Sequence, residues 1–100
     1  MKIITVEELK HRLDAGESLN LLDVREQDER DEFNIGGRFL PIGRIRLYET
    51  ESIEDWKNRE VIVYCRSGNR SGQAALWLEQ AGFDNGVHLA GGMLAWRNGG

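Results

Sequence analysis

The chain has 100 residues, 40% of them hydrophobic and 30% charged, with a formal net charge of −4. That is enough for one soluble globular domain with a modest core, and no apolar run approaches the length of a membrane span. The acidic balance argues against non-specific nucleic-acid binding, and a lone cysteine leaves no internal disulfide and no need for an oxidising compartment.

The first residues, Met1-Lys2-Ile3-Ile4-Thr5-Val6-Glu7-Glu8, lack the apolar centre of a signal peptide, so a cytoplasmic protein is expected. Ile3 and Ile4 form a very short strand. Thr5 and Glu8 have the spacing of a capping box, with Thr5 as N-cap. The helix that follows sets Val6, Leu9 and Leu13 on one face and stops at Gly16. His11 lies on its solvent side and reads as a lone surface histidine and not a ligand, because no other histidine or carboxylate cluster has metal-binding spacing.

Leu19 to Val24 reads as a buried strand with Asp23 and Arg25 at its C-terminal end, the edge where parallel α/β sheets bind ligands. Two readings are open there. Either Asp23 or Arg25 orients arginines of a neighbouring loop, or the two residues pair with each other and cap the next helix. Glu26 to Glu32 is an acidic run that suits a short helix, because acids in a first turn favour the helix dipole. Such a run needs no function, although an acidic docking face is the alternative. Phe33 and Ile35 return the chain to the core, and Gly36 and Gly37 mark a turn.

Phe39 to Ile42 reads as a short strand ending near Pro41, the sole proline, which cannot donate to a ladder. Arg44 and Arg46 belong to a solvated loop, or else line the mouth of an anion site. From Leu47 to Trp56 the apolar positions are Leu47, Ile53 and Trp56, with a short helix expected over Ser52 to Trp56.

Val61 to Tyr64 is the clearest strand, a continuous β-branched and aromatic run. Cys65 stands where it ends. Arg66, Ser67, Gly68, Asn69 and Arg70 form a polar loop, and Ser71 to Ala81 reads as a helix closed by Gly82. Ala74, Ala75, Leu78 and Ala81 share one face of that helix, and Leu76 and Trp77 suggest a second buried side. Val87 to Leu89 is the last strand, with His88 half buried and not placed as a base. Gly91 and Gly92 turn the chain into a final short helix, whose Trp96 packs into the core.

A thiol becomes a nucleophile only as thiolate, which positive surroundings favour. Arg66 and Arg70 carry full charges. The helix N-terminus adds unpaired N–H groups and the positive end of its dipole. A tight turn at Gly68 turns further N–H groups inward as an anion nest. The pattern therefore predicts a reactive Cys65 held as thiolate. The competing reading is a small buried hydrophobe, which would not need two arginines and a hinge glycine beside it.

Cys65-Arg66-Ser67-Gly68-Asn69-Arg70-Ser71 resembles the active-site loop of rhodanese-like sulfurtransferases. Three other stretches are similar to motifs of that family: Leu21-Leu22-Asp23-Val24-Arg25, Glu32-Phe33-Asn34-Ile35-Gly36, and Leu89-Ala90-Gly91-Gly92-Met93-Leu94-Ala95-Trp96. The likeness extends over essentially the whole chain as one domain, residues 1–100. It departs at Gly37-Arg38-Phe39, where relatives usually have Gly-His-Ile, a difference that bears on one wall of the pocket.

The resemblance implies an α/β fold with a five-stranded, mostly parallel sheet flanked by helices on both faces, the cysteine loop lying at the end of the central strand. It implies sulfurtransfer from a small anionic donor, such as thiosulfate or a persulfide, through a Cys65 persulfide to cyanide, a small thiol or an acceptor protein. No metal or organic cofactor is required. Cys65 would be catalytic; Arg66, Ser67, Gly68, Asn69, Arg70 and Ser71 would bind substrate, with Asp23 and Arg25 behind them.

Two alternatives accompany this reading. Rhodanese-like folds also serve as non-catalytic docking or regulatory modules. A cysteine phosphatase or arsenate reductase would need a loop that wraps a tetrahedral oxyanion. Here four residues separate Cys65 from Arg70, one fewer than in related phosphatases, so the cradle suits a single sulfur better.

Overall fold

The computed structural model describes residues 2–99. Five strands form one sheet: β1 (Lys2–Ile4), β2 (Leu21–Asp23), β3 (Arg38–Phe39), β4 (Glu60–Tyr64) and β5 (Asn85–Leu89). Their order is β1-β5-β4-β2-β3, and every pairing is parallel. The connections carry helices α1 (Val6–Asp14), α2 (Gln27–Glu32), α3 (Ile42–Arg46), α4 (Asn69–Gln80) and α5 (Gly92–Arg97), with a 3-10 helix over Glu51–Trp56. The expected α/β class, five-stranded sheet and helices on both faces are observed.

Covering both faces explains the composition of β4. Val61, Ile62, Val63 and Tyr64 have no exposed surface, as a central parallel strand requires. Its side chains alternate between two cores. Val61, Val63 and Cys65 join Leu22, Val24, Ile45, Ala74 and Leu78 on the side of α3 and α4. Ile62 and Tyr64 join Ile4, Leu9, Val87, Leu89 and Met93 on the side of α1 and α5. Each fully buried aliphatic side chain contributes about 1.5–3 kcal/mol.

Several local expectations hold. Thr5 and Glu8 form the reciprocal capping box, both bonds at 3.1 Å. His11 is exposed, and Trp96 is half buried against the α1 side core. Others are corrected. The strand expected over Phe39 to Ile42 is confined to Arg38–Phe39, and Pro41 caps α3. Proline before a helix loses nothing, because the first-turn N–H groups have no intrahelical partner. Leu47 is 69% exposed and does not enter the core. Leu76 is 44% exposed, so only Trp77 gives α4 a second packed edge. Finally, α4 begins at Asn69, two residues before the expected start at Ser71.

Leu78 stands on α4 with no exposed surface, packed in the α3 side core. Leu78→Ala is expected to lower unfolding stability by about 2–5 kcal/mol, read as a drop in the denaturant midpoint at unchanged slope.

Candidate functional site

The central strand delivers Cys65 to the C-terminal edge of the sheet. Only Arg66, Ser67 and Gly68 separate it from α4. Gly68 adopts φ +107°, a left-handed conformation that L side chains rarely take, and this turns the chain into the helix within one residue. The turn brings the Gly68 N–H to 3.0 Å from Cys65 Sγ. Ser71 Oγ lies 3.5 Å from the same sulfur. The sulfur therefore sits against the positive end of α4, beside two polar groups.

A second helix holds the cysteine backbone. Met93 N–H donates to Cys65 O and Leu94 N–H donates to Arg66 O, each at 2.9 Å. These are first-turn donors of α5, which otherwise would lack partners. The approach is close enough to exclude a side chain at Gly92. A Cβ there would lie 2.4 Å from Cys65 O and 2.6 Å from Arg66 O, and φ is +55°.

Of the predicted site residues, the structure brings Gly68 and Ser71 to the sulfur. Arg66, Ser67 and Asn69 are exposed around it. Arg66 borders a cavity of about 280 Å³ together with Arg25, Glu29, Phe33, Met93 and Arg97. Cys65 itself has no exposed surface. Arg70 makes a bidentate pair with Glu29, at 2.6 and 2.7 Å. Geometry of this kind is the strong form of the arginine–carboxylate contact.

Asp23 and Arg25 pair with each other, as one of the two readings had it, but they do not cap the next helix, whose N-cap is Glu26. Asp23 is fully buried and binds Arg25 through both carboxylate oxygens, at 2.9 and 3.0 Å. Arg30 adds a third contact at 3.3 Å. Arg25 also reaches the carbonyl of Phe33. Neither residue bonds Arg66 or Arg70. A buried carboxylate needs such saturation, because its lost hydration must be replaced by hydrogen bonds. What these residues do is hold α2 and the following turn against the sheet edge.

Two residues were missed by sequence reasoning. Glu29 sits in the acidic run that carried no assigned role, yet it is the partner of Arg70. The spacing signal within α2 satisfied the helix dipole already, so nothing singled it out. His88 was not placed as a base, but its Nδ1 lies 2.7 Å from Ser71 Oγ. Arg38, at the position where the Gly-His-Ile pattern fails, forms a bidentate pair with Asp55 at 2.7 and 2.8 Å and lies 4.1 Å from the Trp56 ring centre. It does not border the cavity.

A family model described as the rhodanese-like domain matches residues 5–99. Over 94 residues the chain is 38% identical to the "Probable adenylyltransferase/sulfurtransferase MoeZ" of Mycobacterium tuberculosis, covering 93% of this chain and 24% of that protein. It therefore spans about a quarter of that relative. It is 37% identical over 94 residues to a protein named "Sulfurtransferase" from Allochromatium vinosum, covering 93% of this chain and 85% of the other. Among solved structures, the rhodanese-like domain of Anabaena Alr3790 superposes with a TM-score of 0.85 at 30% identity, covering all of this chain and 76% of that one.

Two expectations follow from the geometry. Gly92→Ala is expected to displace α5 from the cysteine carbonyl, lowering the melting temperature and changing the alkylation rate of Cys65. The carboxyl of Glu29 is held at about 2, against an ordinary 4.5, chiefly by its hydrogen bonds from Arg70, with burial opposing. A depressed carboxyl stabilises the fold above its unfolded value and loses that effect as pH falls from 4.5 towards 2. In Glu29→Gln this acid-labile part is expected to vanish. The loss near neutral pH should be about 1 kcal/mol, because both side chains keep contact with solvent. Chemical unfolding at a series of pH values checks it.

Proposed function

This chain belongs to the rhodanese-like domain family, and from that premise we propose that it is a sulfurtransferase working through a Cys65 persulfide. The observation that carries the reading is the placement of Cys65 Sγ at the end of the central strand, with the Gly68 N–H at 3.0 Å and the start of α4 behind it. Fixed donors aimed at one atom stabilise negative charge there without reorganising during reaction. The names of the relatives from Mycobacterium and Allochromatium point the same way.

The reaction has two covalent halves. In the first, the Cys65 thiolate attacks the outer sulfur of an anionic donor. With thiosulfate, a bond forms between Cys65 Sγ and that sulfur, the donor S–S bond breaks, and sulfite leaves with the electron pair. In the second, the thiolate of an acceptor attacks the outer sulfur of the persulfide. The Sγ–S bond breaks and Cys65 leaves as thiolate. Cyanide takes the sulfur in the same way, giving thiocyanate. With one cysteine in the sequence, the persulfide has no internal thiol to resolve it, so the acceptor is an external small thiol or a protein.

The roles within the loop divide by geometry. Arg66 presents its charge at the cavity and draws in the donor. Gly68 and Ser71 contact the sulfur, and Ser67 and Asn69 stand exposed at the rim. Arg70 is bound to Glu29, so it anchors the first turn of α4 instead of contacting the donor. Asp23 and Arg25 brace the cavity wall. A cytoplasmic setting suits a lone thiol that must stay reduced.

One observation favours a second reading. Cys65 has no exposed surface, as would suit a docking module that keeps its cysteine unused. Sulfur uptake separates the two. Reduced protein incubated with thiosulfate is expected to gain the mass of one sulfur atom, to lose it on addition of cyanide, and to show no gain as Cys65→Ser. A wild-type protein that stays folded and gains no mass with thiosulfate or with a small-molecule persulfide would overturn the sulfurtransferase assignment.

A further inference from the structure

Ser71 Oγ is shared by three neighbours. It lies 2.7 Å from His88 Nδ1, 3.2 Å from Gly68 O and 3.5 Å from Cys65 Sγ. Ser71 has no exposed surface, and Cys65 has none either. His88 is half buried. A serine hydroxyl has one proton to donate and two lone pairs to receive with. Its shortest contact, to His88, therefore determines what it can offer the sulfur.

The sheet register and two glycines create this contact. In β5, Val87 and Leu89 face the α1 side core, so His88 faces α4. Val63 is its register partner on β4 and Ile3 on β1. The ring lies along the first turn of α4. A Cβ at Gly68 would stand 3.3 Å from His88 Cε1, and one at Gly72 3.8 Å. A side chain at Gly68 would crowd the ring where it meets Ser71.

The His88 tautomer sets which group donates, and the Ser71 hydroxyl can also donate to Gly68 O. Two of the arrangements open to the three groups differ in where the thiol proton resides. With a neutral His88 protonated on Nε2, the Ser71 hydroxyl donates to Nδ1 and its lone pairs accept the Cys65 S–H. With His88 protonated on both nitrogens, Nδ1–H donates to Ser71 Oγ, and the hydroxyl proton is released to point at a Cys65 thiolate. Passing from the first to the second moves one proton from Sγ to Oγ and one from Oγ to Nδ1. No net charge is created, and no other reactant is consumed.

We propose that His88 is a positioning residue for Cys65, acting through Ser71 to take up the thiol proton and hold the buried sulfur as thiolate. The proposal rests on Cys65 being the sulfur-carrying nucleophile. It answers a physical requirement of that role. An unpaired charge without solvent access is strongly disfavoured, and Cys65 must be anionic both when it attacks the donor and when it leaves the persulfide.

Burial lowers the proton affinity of His88, and it is the one cause of that shift. Burial alone disfavours the imidazolium, so in the proposed relay His88 takes up a proton only together with formation of the thiolate at Cys65. The other charged residues on the packed elements are accounted for. Lys2 of β1 is in register with Val87 and so lies on the opposite face. Glu60 of β4 is paired with Arg12, and Arg70 of α4 with Glu29. Glu79 lies two turns along α4 from Gly72. The titratable group joined to His88 through Ser71 is Cys65.

Two readouts test the coupling, and neither uses a sulfur donor. The first is the pH dependence of Cys65 alkylation by iodoacetamide in wild type and His88→Phe. The midpoint is expected to rise by about one pH unit or more in the variant, which keeps a ring but loses the bond. The second is NMR titration of the His88 ring in wild type and Cys65→Ala, with exposed His11 as internal reference. The wild-type His88 midpoint is expected to lie higher, by about one unit, because the thiolate retains the imidazolium proton. Superimposable alkylation profiles with a folded variant, or identical His88 midpoints, would overturn the proposal. If His88→Phe does not fold, the NMR comparison decides alone, since it is made on the native histidine. Coupling in a protein that takes up no sulfur would overturn the assigned reaction and leave the relay standing.

Discussion

The two hydrogen bonds from the first turn of α5 to the carbonyls of Cys65 and Arg66 organise the site. They need the backbone of Gly92 to pass where any side chain would collide with the cysteine carbonyl. Through them the end of the chain controls the strand end at its centre. The same bonds satisfy donors that a helix N-terminus leaves open, so α5 is capped by the very loop it positions. Cys65 is held from both directions: α4 presents a donor to the sulfur, and α5 presents donors to the carbonyl.

Charge is handled by enclosure in local pairs. The molecule is acidic overall, yet the elements around the sulfur carry Arg25, Arg66, Arg70 and Arg97. Two of these are neutralised by specific carboxylates, Asp23 for Arg25 and Glu29 for Arg70. The Glu29 pair spans 41 residues and ties α2 to the first turn of α4. Among the described residues Arg66 makes no ion pair, and it faces the cavity. That cavity is also lined by Arg25 and Arg97 and by the carboxylates Glu29 and Glu32.

Much of the architecture was legible in order along the chain. Thr5 and Glu8 specify a helix start through contacts three residues apart. Val61 to Tyr64 can be satisfied only by a strand covered on both faces. Cys65, Gly68 and the following polar residues mark the loop, because chemistry and backbone freedom coincide there. The errors fall where local propensity was ambiguous or where exposure depended on distant packing. Pro41 suited a strand end and a helix start equally well. Leu76 read as part of a second buried side of its helix, but it is 44% exposed.

The sequence by itself determined the alternation of strands and helices, the identity of the central strand and the position of the lone cysteine at its end. These depend on contacts within a few residues and on hydrophobic periods that are visible in one dimension. Tertiary structure alone decided which charged groups are spent in pairs and which polar side chains meet at the sulfur. The meeting of His88 with Ser71 depends on the register of β5 against β4, which sets Val63 opposite His88. The capture of Arg70 by Glu29 depends on where α2 docks. Both are long-range contacts, and their partners carry no mark in the local pattern because each residue also satisfies its own element: Glu29 as a first-turn acid in α2, and His88 as an alternating position in β5.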